Sequence, residues 1–280
     1  MKANYTLIDV FTDTPLAGNQ LAVFTDARQI PEPLLQSLAR ELNFSETVFV
    51  LPPASGGHAR IRIFTPTREI PFAGHPTLGT ALVLAAGVGL FELRIETGSG
   101  IVPVRIEREG PRPVAGFMAQ PIPRVEAYGD CAPLFSALRL AGSELPVELY
   151  DNGLRHVFVA LPSIEAVAAL DPNLSELRRL GPMGVNCFAG AGLCWKTRMF
   201  APALGVDEDP ATGSAAGPLA LHLLSHGRIG SGQQITIAQG EEIRRPSRLW
   251  AKVEGTAAKV ERVEVGGAGV VVARGEFRLA

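Results

Sequence analysis

Short apolar runs predict strands along most of this chain. Residues 7–11 and 21–24 are two such runs, on either side of a turn at residues 15–19. Residues 48–51 and 60–64 are two further apolar runs that are typical of strands. The pattern therefore indicates a chain in which sheet predominates.

Three segments of the sequence predict helices. Leucines at positions 34, 35, 38 and 42 predict an amphipathic helix over residues 33–42. Residues 77–86, which follow Gly74-His75-Pro76, carry no charge, and the residues after Asp209-Pro210-Ala211-Thr212-Gly213-Ser214 are similar. A helix that is apolar on nearly every face is a buried helix, so we expect a sheet wrapped around each of these two.

The same order of motifs occurs twice along the chain. Residues 157–162 resemble residues 48–52, and Arg198-Met199-Phe200-Ala201-Pro202 resembles Arg62-Ile63-Phe64-Thr65-Pro66. After each of the latter motifs come acidic residues, a glycine-containing turn and an apolar helix. The sequence therefore predicts an α+β fold of two pseudo-repeated domains, each a curved, mostly antiparallel sheet wrapped around a central apolar helix.

The predicted domains are residues 1–119 and 124–265, with a proline-containing linker over residues 120–123. Residues 266–280 are expected to return to the first domain as a strand, and the active site is expected in the cleft between the domains. Backbone N–H groups at a helix start have no helical partner and lie at the positive end of the helix dipole. The two apolar helices therefore favour a bound small carboxylate at their starts.

The composition of the chain excludes several classes of protein. The net charge of −2 gives no electrostatic footprint for nucleic acid or an anionic membrane, and 46% hydrophobic residues exclude global disorder. No apolar segment is long enough to span a bilayer, and no signal peptide is recognisable at the N-terminus. Three cysteines without CxxC spacing favour a reducing compartment, so we expect a cytoplasmic protein.

Glu46 and His75 are candidates for proton transfer. Glu46 has apolar neighbours at a loop-to-strand junction, where loss of hydration would make its carboxylate a usable base; the alternative is an ordinary surface glutamate. His75 falls in the first turn of a predicted buried helix, where the positive helix end favours the neutral imidazole. The alternative for His75 is a helix-capping or core histidine.

Asp209 and Ser214 place a carboxylate and a hydroxyl around the start of the second apolar helix. Either these groups bind a ligand, or Asp209 simply caps the helix with Pro210 in its first turn. Both can hold together, because a capping aspartate can also accept a hydrogen bond from a ligand.

Other motifs give weaker signals. His222 and His226 have the i,i+4 spacing of a metal pair, but the sequence shows no third ligand. Cys187 and Cys194 have hydrophobic neighbours and are expected to be buried, inert thiols. There is no P-loop, nucleophile elbow or dinucleotide fingerprint, so we expect neither metal nor cofactor.

Five motifs are distributed over most of the chain: Asp9-Val10-Phe11 with Pro15-Leu16-Ala17-Gly18-Asn19, Asn43-Phe44-Ser45-Glu46-Thr47, Arg62-Ile63-Phe64-Thr65-Pro66, Pro71-Phe72-Ala73-Gly74-His75-Pro76 and Asp209-Pro210-Ala211-Thr212-Gly213-Ser214-Ala215-Ala216-Gly217. Together they resemble the PhzF family, the phenazine-biosynthesis isomerases with the diaminopimelate-epimerase-like fold. Gln20 departs from the proline that is usual in that family, and we expect it to lie in a turn.

The resemblance implies a homodimeric, cofactor-independent isomerase that shifts a proton on a small amino-hydroxy cyclohexadiene carboxylate. Two alternatives stay open: an isomerase or epimerase of another small carboxylate, and a binding protein without catalysis. The two-cysteine chemistry of epimerase relatives is in doubt, because neither helix-start motif holds a cysteine. The implied catalytic residues are Glu46, His75, Asp209 and Ser214, and the implied substrate-binding residues are Ser45, Gly74 and Gly213.

Overall fold

The computed structural model describes residues 1–279, in which strands predominate over helices. The fold is therefore mixed, with sheet as its main component, as the short apolar runs predicted. No helix in this described range is both long and apolar enough to cross a membrane. The strands are β1 (Lys2–Val10), β2 (Asn19–Phe24), β3 (Glu46–Leu51), β4 (Ala59–Phe64), β5 (Glu69–Ile70), β6 (Glu92–Thr97), β7 (Gly100–Glu109), β8 (Arg112–Gln120), β9 (Arg124–Ala127), β10 (Glu148–Asp151), β11 (Arg155–Ala160), β12 (Gly184–Ala191), β13 (Cys194–Ala201), β14 (Val206–Asp209), β15 (Gln234–Gln239), β16 (Ser247–Thr256) and β17 (Lys259–Arg278).

Six α-helices accompany these strands in the described residues, and contacts divide the chain into two units. Unit 1 holds Met1–Ala119 with the residues from Gly266 onward, and unit 2 holds Gln120–Val265. Of the predicted linker, Gln120 ends β8, and residues 121–123 have no regular secondary structure. The helices are α1 (Glu32–Leu42), α2 (Gly74–Ala85), α3 (Ala132–Leu138), α4 (Ile164–Ala168), α5 (Leu174–Arg179) and α6 (Gly213–Ser225), with one 3-10 turn at Pro202–Leu204.

The strands of unit 1 form a ring. β1 pairs antiparallel with β2, β2 pairs parallel with β3, and β3 pairs antiparallel with β4. β4 pairs parallel with β6, which continues through antiparallel β7 to β8. β17 pairs with both β8 and β1, which closes the ring. The β2–β3 and β4–β6 pairs are parallel, whereas β1–β2, β3–β4, β6–β7, β7–β8 and β1–β17 are antiparallel.

Helix α2 lies inside this ring, in contact with β1, β2, β3, β6 and β7. It carries no charged residue and is buried along nearly its whole length, as its apolar composition predicted. Gly79 allows the close approach, because a Cβ there would lie 2.7 Å from side-chain atoms of both Leu21 and Val10. The ring therefore holds the first turn of α2 in a fixed position.

In unit 2, β9, β10 and β11 pair antiparallel in sequence, and β11 pairs parallel with β12. β12 pairs antiparallel with β13, which pairs parallel with β15, and β15 continues to antiparallel β16. Helix α6 contacts β11 and β16 and is buried from Gly213 to Leu223. It contains Pro218, which lacks the N–H that would bond the carbonyl of Ser214.

Candidate active site

Unit 1 brings two of the predicted site residues together. Glu46 is the first residue of β3 and pairs with Leu21 of β2, and His75 lies in the first turn of α2. The Oε2 atom of Glu46 lies 3.6 Å from Nδ1 of His75, and their side chains are 17% and 6% exposed. The surface-glutamate alternative for Glu46 is therefore wrong, because this side chain is largely removed from water.

His75 is held as a neutral imidazole by its surroundings. Burial lowers the pKa of His75 to about 3, against a smaller opposing effect of the Gln20 backbone. The helix-capping alternative is wrong, since α2 begins after Ala73 and no side chain caps it. His75 is instead a buried group that stays uncharged beside a carboxylate across the physiological pH range.

The start of α2 also presents backbone donors. Gly74 and His75 occupy its first two positions, where N–H groups have no intrahelical acceptor, and Pro76 has no N–H at all. In this turn the Thr77 N–H donates to the Ala73 carbonyl at 3.3 Å. Ser45 lies half-buried in the bend directly before β3, beside Glu46. These groups are candidates for binding an anion.

Asp209 ends β14 and is 7% exposed. Its Oδ2 atom accepts a 2.6 Å hydrogen bond from the hydroxyl of Thr212, the residue that precedes α6. The alternative that makes Asp209 the helix cap, with Pro210 inside the first turn, is wrong, because the helix begins at Gly213 and Thr212 occupies the cap position. Gln239 binds the same loop, donating to the Asp209 carbonyl at 2.7 Å and accepting from the Thr212 N–H at 3.1 Å.

Ser214 lies in the first turn of α6, next to Gly213, and is 8% exposed. Its Oγ atom lies 3.0 Å from Nε2 of His156, a buried residue of β11. Burial lowers the pKa of His156 to about 4, so this imidazole is also neutral. Sequence reasoning missed His156 as a site residue. The available signal was a polar side chain inside the apolar run of residues 156–161.

His222 and His226 do have a third neighbour, contrary to the sequence prediction. Oε2 of Glu148 lies 3.1 Å from Nδ1 of His222 and 3.0 Å from Nε2 of His226, and it accepts from Tyr150 at 2.8 Å. All three contacts fall on one oxygen of the carboxylate. Nε2 of His222 is buried and has no partner in the described range, whereas a metal-bound histidine ordinarily donates its second N–H to an acceptor. The set therefore resembles a hydrogen-bonded network more than a metal centre.

The two cysteines that the sequence predicted to be buried differ in exposure. Cys187 is fully buried in β12, and burial raises its pKa to about 12, so it is the inert thiol that the sequence predicted. Cys194 is exposed, which makes that prediction wrong for this residue; it lies at the start of β13, directly after a hairpin turn.

The chain matches known proteins over nearly its whole length. The sequence profile of a family described as "Phenazine biosynthesis-like protein" matches residues 8–275. The trans-2,3-dihydro-3-hydroxyanthranilate isomerase of Pseudomonas fluorescens is 53% identical over 276 residues, covering 99% of this chain and 99% of that protein. The protein of the same name from Pseudomonas aeruginosa is 52% identical over 275 residues, covering 98% and 99%.

Solved structures agree with this match. A phenazine biosynthesis protein of the PhzF family from Bacillus anthracis superposes with a TM-score of 0.87 at 25% identity, covering 100% of both chains. A hydroxyproline epimerase from Agrobacterium vitis superposes with a TM-score of 0.63 at 12% identity, covering 98% of this chain and 92% of that one. The second similarity concerns the fold alone.

Proposed function

Because this chain belongs to the phenazine biosynthesis-like protein family, we propose that it is an isomerase that converts trans-2,3-dihydro-3-hydroxyanthranilate into 6-amino-5-oxocyclohex-2-ene-1-carboxylate. Full-length relatives that share about half of their residues with it are named as isomerases of this substrate. The observation that carries the proposal is the largely buried Glu46 carboxylate, 3.6 Å from a neutral histidine.

Glu46 is the acid/base residue in this proposal. Its carboxylate removes the proton from C3, the ring carbon that bears the hydroxyl, and the electron pair moves through the diene toward C1. The protonated Glu46 then returns a proton to C1, and the resulting enol becomes the ketone when its hydroxyl proton is lost and C4 gains one. Atoms balance without any co-reactant. A positioned acid/base of this kind accelerates a reaction by about 10²–10⁴-fold.

The other groups bind and polarise the substrate. His75, which is neutral beside Glu46, stabilises the proton during its transfer. The backbone amides at the starts of α2 and α6 bind the substrate carboxylate as negative charge develops on it. Asp209 and Ser214 bind the substrate amine and hydroxyl in this scheme. Of the binding positions, Gly74 and Gly213 supply backbone N–H groups, and Ser45 supplies a hydroxyl next to Glu46.

The direct test is incubation of the purified protein with trans-2,3-dihydro-3-hydroxyanthranilate, followed by ultraviolet absorbance and NMR, without any additive. We expect loss of the conjugated diene and, in D₂O, deuterium at C1 of the product. Recovery of the substrate unchanged after binding, as measured by calorimetry, would favour a binding protein. No binding and no turnover would favour an isomerase or epimerase of a different small carboxylate.

Two further features belong to the proposal. The order of pairing from β1 to β7 in unit 1 matches that from β10 to β16 in unit 2, which supports duplication of one ancestral unit. The homodimer and the cytoplasmic location stay predictions from the sequence, and light scattering on the purified protein tests the first of them.

A further inference from the structure

Ser214 is held at two atoms by residues of one hairpin in unit 2. Its carbonyl has no helical donor, because Pro218 occupies the position whose N–H would bond it. Nδ2 of Asn152, in the turn between β10 and β11, donates to that carbonyl at 2.9 Å. Nε2 of His156 contacts the Ser214 hydroxyl at 3.0 Å. Both the backbone and the side chain of Ser214 are therefore fixed.

The direction of the bond between His156 and Ser214 depends on which imidazole nitrogen carries the proton. Nδ1 of His156 lies 3.4 Å from Nδ2 of Asn186. The Asn186 amide has only one suitable orientation, since its Nδ2 also lies 3.2 Å from the carbonyls of Val157 and of Gly184. Two carbonyl neighbours require an N–H₂ group there, because an amide oxygen would face two acceptors.

Nδ1 of His156 consequently faces a donor. A proton on Nδ1 would point at the N–H₂ group of Asn186, so the favourable tautomer leaves Nδ1 bare and places the proton on Nε2. The ring has little room to turn away. Gly184 pairs with His156 across β11 and β12, and a Cβ on Gly184 would lie 2.6 Å from Nδ1. Burial keeps this imidazole in a neutral form with a single proton.

We propose that His156 is a positioning residue that makes Ser214 a hydrogen-bond donor to a substrate oxygen. The Nε2–H group donates to the Ser214 oxygen, which leaves the serine proton for the ligand. If the bond ran in the opposite direction, the Ser214 hydroxyl would donate its proton to His156, and only its lone pairs would be available to the ligand. In the proposed reaction, negative charge develops on the substrate oxygens, and a fixed O–H donor stabilises it. The substrate part of this inference rests on the proposed function.

The first test needs no substrate. The protein is labelled with ¹⁵N-histidine, and the two imidazole nitrogens of His156 are identified by their loss in His156→Gln. At pH 7 we expect the neutral form with the proton on Nε2. A proton on Nδ1, or a mixture of both tautomers, would overturn the inference. This result is independent of whether the proposed substrate is the right one.

The second test is a double-mutant cycle on kcat/KM with trans-2,3-dihydro-3-hydroxyanthranilate. His156→Leu is expected to lower kcat/KM about tenfold, mainly through kcat. It is expected to cause no further decrease in a protein that already carries Ser214→Ala. His156→Gln keeps an N–H donor near the same place and is expected to recover most of the rate. Equal losses from His156→Leu in both backgrounds would contradict the inference. If the wild-type protein does not turn over this substrate, the proposed function fails, and the tautomer alone decides the role of His156.

Discussion

The Glu46 carboxylate lies 3.6 Å from Nδ1 of His75, and burial keeps that imidazole uncharged. A charged histidine at this distance would hold the carboxylate as an ion pair and weaken it as a base. A neutral one leaves the carboxylate its affinity for protons. The pairing of β2 with β3 and the ring of strands around α2 fix this geometry, so it does not depend on flexible surface loops.

Replacement of Glu46 by glutamine is therefore expected to abolish most turnover. Glutamine has nearly the same shape but cannot accept or return a proton, so kcat is expected to fall at least about a hundredfold. The measurement is the ultraviolet assay with trans-2,3-dihydro-3-hydroxyanthranilate. The urea midpoint is expected to stay close to that of the wild type.

Glu41→Gln is the matched control for that variant. Glu41 lies on α1 with an exposed side chain, and the same chemical change there is expected to leave the rate unchanged. Wild-type rates from Glu46→Gln would remove Glu46 from the mechanism. Equal loss from both variants would point to a general effect of lost negative charge.

Three buried histidines predict how stability responds to acid. Burial lowers the pKa of His75 from 6.5 to about 3 and the pKa values of His156 and His222 to about 4. Below pH 6.5 the unfolded chain binds protons that the folded chain does not. Lowering the pH from 6.5 to about 4 therefore reduces the free energy of unfolding, by up to about 1.4 kcal/mol per pH unit for each histidine.

Urea denaturation at pH 7, 6 and 5 measures this slope. His156→Gln is expected to reduce the slope by up to about 1.4 kcal/mol per pH unit, since it removes one of the three groups. A stability that does not change between pH 7 and pH 5 would contradict the buried neutral state of these histidines.

The sequence predicted the features that depend on local pattern. The absence of charge along α2 and α6 was enough to predict two buried helices, and the resemblance placed Glu46 and His75 in one site. The alternative in which Asp209 caps α6 starts this helix too early; it arose because Asp209 and Pro210 are typical of a helix start. In the structure Asp209 instead holds the hydroxyl of Thr212.

Features that depend on distant pairing were not predictable. A histidine in an apolar strand is as typical of a core as of a site, and nothing near His156 in the sequence distinguishes the two. Its environment arises only when β11 pairs with β12, which brings Asn186 beside it, and when α6 places Ser214 at its other nitrogen. Glu148 escaped notice for the same reason, since it lies 74 residues from His222.

Arg198 and Glu208 form an ion pair that is expected to be sensitive to removal of one partner. The guanidinium donates to both carboxylate oxygens, at 2.9 and 2.8 Å, and to the Leu170 carbonyl at 2.7 Å; the two side chains are 9% and 12% exposed. Arg198→Leu leaves a largely buried carboxylate without its partner, so we expect a loss of about 3–5 kcal/mol in the free energy of unfolding.

Adding Glu208→Leu to that variant is expected to recover part of the loss, because two apolar side chains leave no charge to be buried. Arg28→Leu is the control, since Arg28 and Asp26 form a pair that is mostly exposed, and its effect on unfolding is expected to be small. Urea denaturation measures all four proteins. A double variant that is less stable than Arg198→Leu alone would contradict this account.

Gly18 lies in the turn that leads into β2, and we expect it to tolerate no side chain. Its φ of +68° is rarely adopted by other residues, and a Cβ would lie 2.4 Å from the Val10 carbonyl oxygen, a backbone atom that cannot move aside cheaply. Gly18→Ala is therefore expected to lower the free energy of unfolding by about 1–3 kcal/mol.

This turn leads into Gln20, which lies in β2 and not, as predicted from the sequence, in the turn itself. The Gln20 backbone acts on His75, so this variant is also expected to disturb the site. We expect kcat of Gly18→Ala to decrease more than kcat of a variant that is destabilised by the same amount at a position outside this turn. Gly89→Ala is the control, because a Cβ there meets no atom within 4 Å. Equal stability of the two alanine variants would contradict this prediction. It would mean that the turn relaxes around the new methyl group and transmits no strain to His75.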